Sequence, residues 1–146
     1  MTLKFIGEVA EAKVDGIRGA LSTVHADSQL ELGFYGLSFF PNESRPTVLW
    51  TGLEASTNLQ TLAGDIDRVL ATQGVASEKR AFVPHLTLAR FDPPRLDEKL
   101  RAAIQQNGQR DFGSFQAREF HLIESKLKPS GAEYTTLQSF VFAAEA

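Results

Sequence analysis

The chain has 146 residues, with 42% apolar and 23% charged side chains and a formal charge of −3 from 15 basic and 18 acidic groups. That length supports one domain with a sizeable core, and the composition excludes a disordered chain. The mild acidity excludes a strongly cationic surface that grips long nucleic acids through many phosphates, but not an enzyme that handles one terminal phosphate. The absence of cysteine rules out disulfides and thiolate-held metals and fits a reducing compartment. No apolar run approaches membrane-spanning length and the first residues lack a signal peptide's pattern, so the expected location is cytoplasmic.

Thr2 to Val9 reads as a strand, with Leu3 and Phe5 on one face and Thr2 and Lys4 on the other. Phe5 is expected to pack in the core. A helix is predicted from about Ala10 to His25, with Val14, Ile17, Leu21 and Val24 as its apolar stripe and His25 exposed near its end. Leu30 to Tyr35 alternates as a strand, and Leu37 to Phe40 forms a second short extended piece before a loop at Pro41–Pro46. Thr47 to Leu53 is strongly β-prone. Thr57 or Asn58 is predicted to cap a second helix that buries Leu59, Leu62, Ile66, Val69 and Leu70 and ends at Gly74. A strand containing His85 follows, stopped by Asp92-Pro93-Pro94. Leu96, Leu100 and Ile104 outline a third helix ending near Asn107-Gly108. The tail reads as a hairpin, Phe120 to Leu127 and Tyr134 to Phe142 about a turn at 129–131. The mixture predicts an α+β domain spanning residues 1–146.

The stretch Phe82-Val83-Pro84-His85-Leu86-Thr87-Leu88-Ala89-Arg90 carries the chemistry. Alternation puts His85 and Thr87 on one face, with Leu86 and Leu88 packed inward on the other. An acid/base, a hydroxyl donor and a fixed cation, Arg90, make a phosphate site. A lone strand histidine is more often structural than catalytic, so its neighbours decide its reading. His25, His85 and His121 lack metal-ligand spacing, so no metal and no cofactor is expected; His121 should alternate out of the hairpin. No Gly-rich phosphate loop or serine elbow is present.

Pro84-His85-Leu86-Thr87-Leu88 with Arg90 resembles the second signature of the 2H phosphoesterases, most closely the RNA 2′,3′-cyclic phosphodiesterases, also called 2′-5′ RNA ligases. Gly36, Phe39-Phe40-Pro41, Arg45-Pro46, Val48-Leu49-Trp50, Glu124-Ser125, Leu127, Gly131, Tyr134 and Thr135 also resemble that family. Met1 to Val9 resembles its first motif from the second position onward, with Thr2 on the motif threonine. The first motif histidine would fall one position before Met1. The resemblance thus implies either a longer protein with a strand, a helix and that histidine upstream, which the retained pattern of Thr2 to Val9 favours, or a degenerate relative that begins at Met1; residues 1–146 alone would be impaired and less stable.

The implied fold is bilobal and pseudo-symmetric, with antiparallel sheets lining a central cleft and helices outside. The implied reaction is metal-independent hydrolysis of a terminal 2′,3′-cyclic phosphate to a 2′-phosphomonoester, with possible reverse ligation of RNA ends. His85 would be one of two acid/base histidines, with Thr87, Thr2 and Arg90 on the phosphate. RNA ends or small cyclic-phosphate nucleotides are the implied substrates, for a monomer without an obligate protein partner. Phe5 and Tyr134 are further candidates to stack on a base. Two other readings are a non-catalytic RNA-end or nucleotide binder, and a 2H esterase acting on another small cyclic phosphate.

Overall fold

The computed structural model describes residues 1–26, 29–55 and 57–143. In order they form α1 (Glu11–Leu21), β1 (Leu30–Phe40), β2 (Val48–Ala55), α2 (Thr57–Ala71), β3 (His85–Arg90), α3 (Glu98–Gln106), β4 (Asp111–Ala117), β5 (Glu119–Lys128) and β6 (Gly131–Val141). The chain divides into two compact units.

The first unit comprises residues 1–3, 31–57 and 82–115, and holds a four-stranded sheet in the order β3-β2-β1-β4. β1 and β2 pair antiparallel, as do β2 and β3. The two short extended pieces expected before Pro41 are a single strand, β1. A bulge joins them: Tyr35 pairs with Gly52 and Leu37 with Thr51, leaving Gly36 unpaired in that ladder. Gly36 has φ +70°, and its N–H donates instead to the Arg110 carbonyl at 2.9 Å. A Cβ there would meet the Gly108 carbonyl oxygen at 2.9 Å, so glycine is required on both counts.

Register sorts the sheet into two faces, because directly paired residues share a side. Leu32, Phe34, Leu37, Leu49, Thr51, Leu53 and Leu86 occupy one, where Leu32, Thr51 and Leu53 are buried. Tyr35, Ser38, Phe40, Val48, Trp50, Gly52 and Glu54 occupy the other, the more exposed side. α3 begins where the Asp97 carboxylate accepts from the Leu100 N–H at 2.8 Å, and Ile104 anchors it in the core. Leu96 lies before this helix and Leu100 is exposed, so its buried stripe is narrower than the spacing predicts.

The second unit comprises residues 4–30, 58–81 and 116–146. Its core draws on α1 (Ile17, Leu21), on Val24 beyond it, on α2 (Leu59, Leu62, Ile66, Val69, Leu70) and on the hairpin (Phe120, Leu122, Phe140, Phe142). Phe120 stacks on Phe140 with ring centres 4.7 Å apart. β5 and β6 pair antiparallel from Glu119↔Val141 to Lys128↔Gly131, as the sequence predicts. His121 is exposed, as expected, with Nδ1 2.9 Å from the Ser139 hydroxyl.

Other expectations here need correction. Thr2–Val9 is not a strand: it takes part in no ladder, and Gly7 turns through φ +83°, which interrupts an extended run. Phe5, expected in the core, is 80% exposed. The first helix stops at Leu21, so His25 lies exposed beyond it rather than on its last turn. Thr57 and Asn58, expected to cap the second helix, are its first two residues. In addition, β4 has no strand signal in the sequence, because Phe112 and Phe115 are out of period and Gly113 interrupts them.

Candidate active site

β3 is an edge strand, held to β2 through Gly52↔His85, Thr51↔Leu86 and Trp50↔Thr87. The strand's entry is fixed one residue earlier. Pro84 has no N–H to give, but its carbonyl accepts from the Leu53 N–H at 3.2 Å.

The ladder then departs from alternation. Trp50 pairs with Thr87, but Leu49 pairs with Ala89, so Leu88 is an extra residue on β3. This corrects the expectation that Leu88 packs inward beside Leu86: Leu86 is half-buried, whereas Leu88 is 50% exposed. The same bulge restores Arg90 to the ladder opposite Val48. Val48, Trp50 and Gly52 alternate onto one face of β2, so Arg90, Thr87 and His85 share that face.

His85 Nδ1 lies 2.8 Å from the Val83 carbonyl oxygen. A carbonyl only accepts, so Nδ1 carries the proton and donates it. Nε2 is left as the ring's working nitrogen, a base when neutral and an acid once protonated. The ring is also held from the side. Trp50 meets it edge-on at 5.8 Å and 65°, and Phe40 at 5.1 Å and 80°. Trp50 and Phe40 stack on each other at 4.9 Å. In the sequence Trp50 and Phe40 have places in a family pattern but no role; the folded sheet makes them the walls of the imidazole.

The Thr87 hydroxyl and Arg90 guanidinium are exposed on this face, and the structure therefore brings His85, Thr87 and Arg90 together. Thr2 belongs to the same compact unit but lies exposed, outside any strand, and is not placed on this sheet face by the ladder. Tyr134, on the hairpin of the second unit, is 70% exposed.

In that second unit Lys4, two positions after Thr2, is tied down tightly. Its Nζ donates to Asp67 Oδ1 at 2.5 Å and to the Ala76 carbonyl at 2.8 Å. Asp67 also accepts from the Glu78 N–H at 3.0 Å. The Lys4 hydrogen bond, then the Glu78 amide, hold the Asp67 carboxyl below the ordinary aspartate range.

Among the described residues, no group of three or more histidine or carboxylate side chains is arranged to hold a metal, and no helix is long and apolar enough to cross a membrane.

The family model of the 2′-5′ RNA ligase superfamily matches residues 1–129. The chain is 32% identical over 138 residues to a protein of Aeropyrum pernix named RNA 2′,3′-cyclic phosphodiesterase, covering 94% of this chain and 78% of that one. A protein of the same name from Methanothermobacter thermautotrophicus is 33% identical over 140 residues, covering 95% and 76%. The crystal structure of TT0787 of Thermus thermophilus superposes with a TM-score of 0.79 at 26% identity, over 99% of this chain and 78% of that one. Escherichia coli LigT complexed with 3′-AMP shares the fold, with a TM-score of 0.75 at 23% identity over 97% and 75%. The fold is thus the α+β fold of the 2H phosphoesterases, and the chain belongs to the 2′-5′ RNA ligase superfamily.

Proposed function

We propose that this chain is an RNA 2′,3′-cyclic phosphodiesterase that opens a terminal cyclic phosphate to a 2′-phosphomonoester. The observation that carries this reading is the common face of His85, Thr87 and Arg90, with Nε2 the remaining nitrogen of an imidazole whose Nδ1 is already committed. The names borne by the relatives support it.

In the proposed reaction a water oxygen bonds to phosphorus as the bond from phosphorus to the ribose 3′-oxygen breaks. The water gives up a proton and the departing oxygen gains one. His85 Nε2 performs one of these transfers. The Thr87 hydroxyl donates to a non-bridging oxygen, and Arg90 neutralises the charge that builds there. Thr2, assigned through the resemblance of Met1–Val9, would add a second hydroxyl to the same phosphate. With an RNA 5′-hydroxyl as nucleophile in place of water, the same exchange makes a 2′-5′ linkage. The reading asks for no metal and no protein partner, and fits a monomer working in the cytoplasm on RNA ends.

The test is a short RNA bearing a 2′,3′-cyclic end, with the phosphorylated product resolved by position. His85→Ala should lower turnover by about 10²–10⁴ while leaving RNA affinity within a few-fold. Equal binding with no turnover in either form would replace this reading with a nucleotide-binding relative. Faster turnover of mononucleotides than of oligonucleotides would point to an esterase of small cyclic phosphates.

A further inference from the structure

Beyond His85, the more exposed sheet face of the first unit carries a pocket. Gly52 pairs with His85 on β3 and with Tyr35 on β1, so the three form one row across three strands. Neighbouring strands lie about 4.8 Å apart, which sets Tyr35 roughly 10 Å from His85. Gly52 puts no side chain between them. A Cβ there would stand 2.9 Å from the Tyr35 carbonyl oxygen and 3.8 Å from the Trp50 ring. The row thus has an imidazole at one end and a phenol at the other, a separation greater than a ribose alone.

Tyr35 is 43% exposed and lines a pocket with Glu31, Gly33, Glu54, Asp111 and Ser114. Phe40 and Trp50, by contrast, spend ring faces on each other and edges on His85. Glu54 follows Gly52 by two positions and so shares its face, paired across the ladder with Gly33. Its carboxylate is exposed and acts only as an acceptor. The carboxylates here repel a second phosphate, so the pocket suits the neutral end of a nucleotide.

Resting on the phosphodiesterase reading, we propose that this pocket holds the base of the cyclic-ended nucleotide and that Glu54 selects guanine. Tyr35 supplies the stacking surface, worth several-fold in affinity for any base. Guanine alone presents two adjacent donors, the ring N1–H and the exocyclic amine, which match the two oxygens of a carboxylate. Adenine, cytosine and uracil each set an acceptor beside their donor, and a carboxylate repels it.

Calorimetric titration of guanosine 2′-monophosphate and inosine 2′-monophosphate tests this directly, since inosine lacks only the exocyclic amine. The unaltered chain should bind the guanosine form about tenfold more tightly. Glu54→Gln should bring the ratio to within about threefold, and Tyr35→Leu should weaken both ligands while keeping the ratio. Equal affinities, no binding of either, or a ratio that survives Glu54→Gln would overturn the proposal. Hydrolysis of the matching cyclic nucleotides keeps the two readings apart. A guanosine preference in binding without turnover removes the phosphodiesterase reading alone, and turnover without base preference removes this inference alone.

Discussion

Arg90 shares a sheet face with His85 although an odd interval separates them, which strict alternation would resolve onto opposite sides. The extra residue, Leu88, makes the difference. Without the bulge, Ala89 would oppose Val48 and Arg90 would point to the apolar face.

This gives a paired prediction. Arg90→Ala should lower kcat/KM for a cyclic-ended RNA by about 10–100-fold, the usual loss for a hydrogen bond to a charged group. Moving the guanidinium one position, as Ala89→Arg with Arg90→Ala, should not restore it, because residue 89 pairs with Leu49 on the other face. Deleting Leu88 should retain most activity, because Ala89 and Arg90 then keep their partners in a regular ladder. Rescue by the shifted arginine, or collapse of activity on deleting Leu88, would show that the register does not govern this site.

The Trp50 indole is the chain's sole tryptophan and stands 5.8 Å from the His85 ring. Its emission should therefore change on titration with inorganic phosphate, and the change should vanish in His85→Ala. The indole N–H is buried without a hydrogen-bond partner among the described residues. Trp50→Phe should accordingly cost little stability, since it removes an unsatisfied donor while keeping a ring. Trp50→Ala should cost about 3 kcal/mol by urea melt and lower kcat, as the wall beside the imidazole is lost. A phosphate response that persists without His85 would break this link.

Much of the frame was legible because burial imposes period. The stripe of Leu59, Leu62, Ile66, Val69 and Leu70 predicted α2, and all five are buried. The alternation of Phe120 and Leu122, with the turn after Lys128, likewise predicted the hairpin. His85, Thr87 and Arg90 were legible as residue types, but the face of Arg90 was not. A bulge is a property of two strands together, and β3 alone gives no sign of it. β4 was missed for a related reason: it is exposed at almost every position, so no core writes a pattern into it. Thr2–Val9 failed in the opposite direction. It has the alternation of a strand but no ladder, and Phe5, which that pattern would bury, stands exposed. Sequence period reports a tendency to bury; it cannot supply the neighbour.

Gly52 and Gly33 face the same way on adjacent strands and should respond differently to alanine. At Gly52 the new Cβ meets backbone at 2.9 Å, so β1 and β2 must separate locally. A loss of about 1–3 kcal/mol is expected, with weaker nucleotide binding as the row from His85 to Tyr35 is disturbed. At Gly33 the nearest atom is the Glu54 Cβ at 3.7 Å, an ordinary contact. Gly33→Ala should be neutral, or stabilising by up to about 1 kcal/mol through the unfolded chain. Thermal melts of the two variants decide it, and equal destabilisation would contradict the close approach at Gly52.

Lys4 and Asp67 give a prediction for pH. Lys4 is nearly buried, and the carboxylate that accepts its hydrogen bond is held below the ordinary range by that bond and by the Glu78 amide. A depressed folded value means that the folded state keeps Asp67 charged where the unfolded chain has begun to take up a proton. The stabilisation is therefore complete above the unfolded value, about 3.9, and is lost as the pH falls from there through the lower folded value. Asp67→Asn removes the charge at every pH. Its melting temperature should lie below that of the unaltered chain by a constant interval from pH 5 to 7, and the interval should close as the pH drops below about 4. Because the ammonium is shielded, added salt should reduce the interval at neutral pH only slightly. An interval that persists at pH 2, or that 0.5 M salt abolishes at pH 7, would mean that the contact between Lys4 and Asp67 does not anchor the segment that follows Thr2.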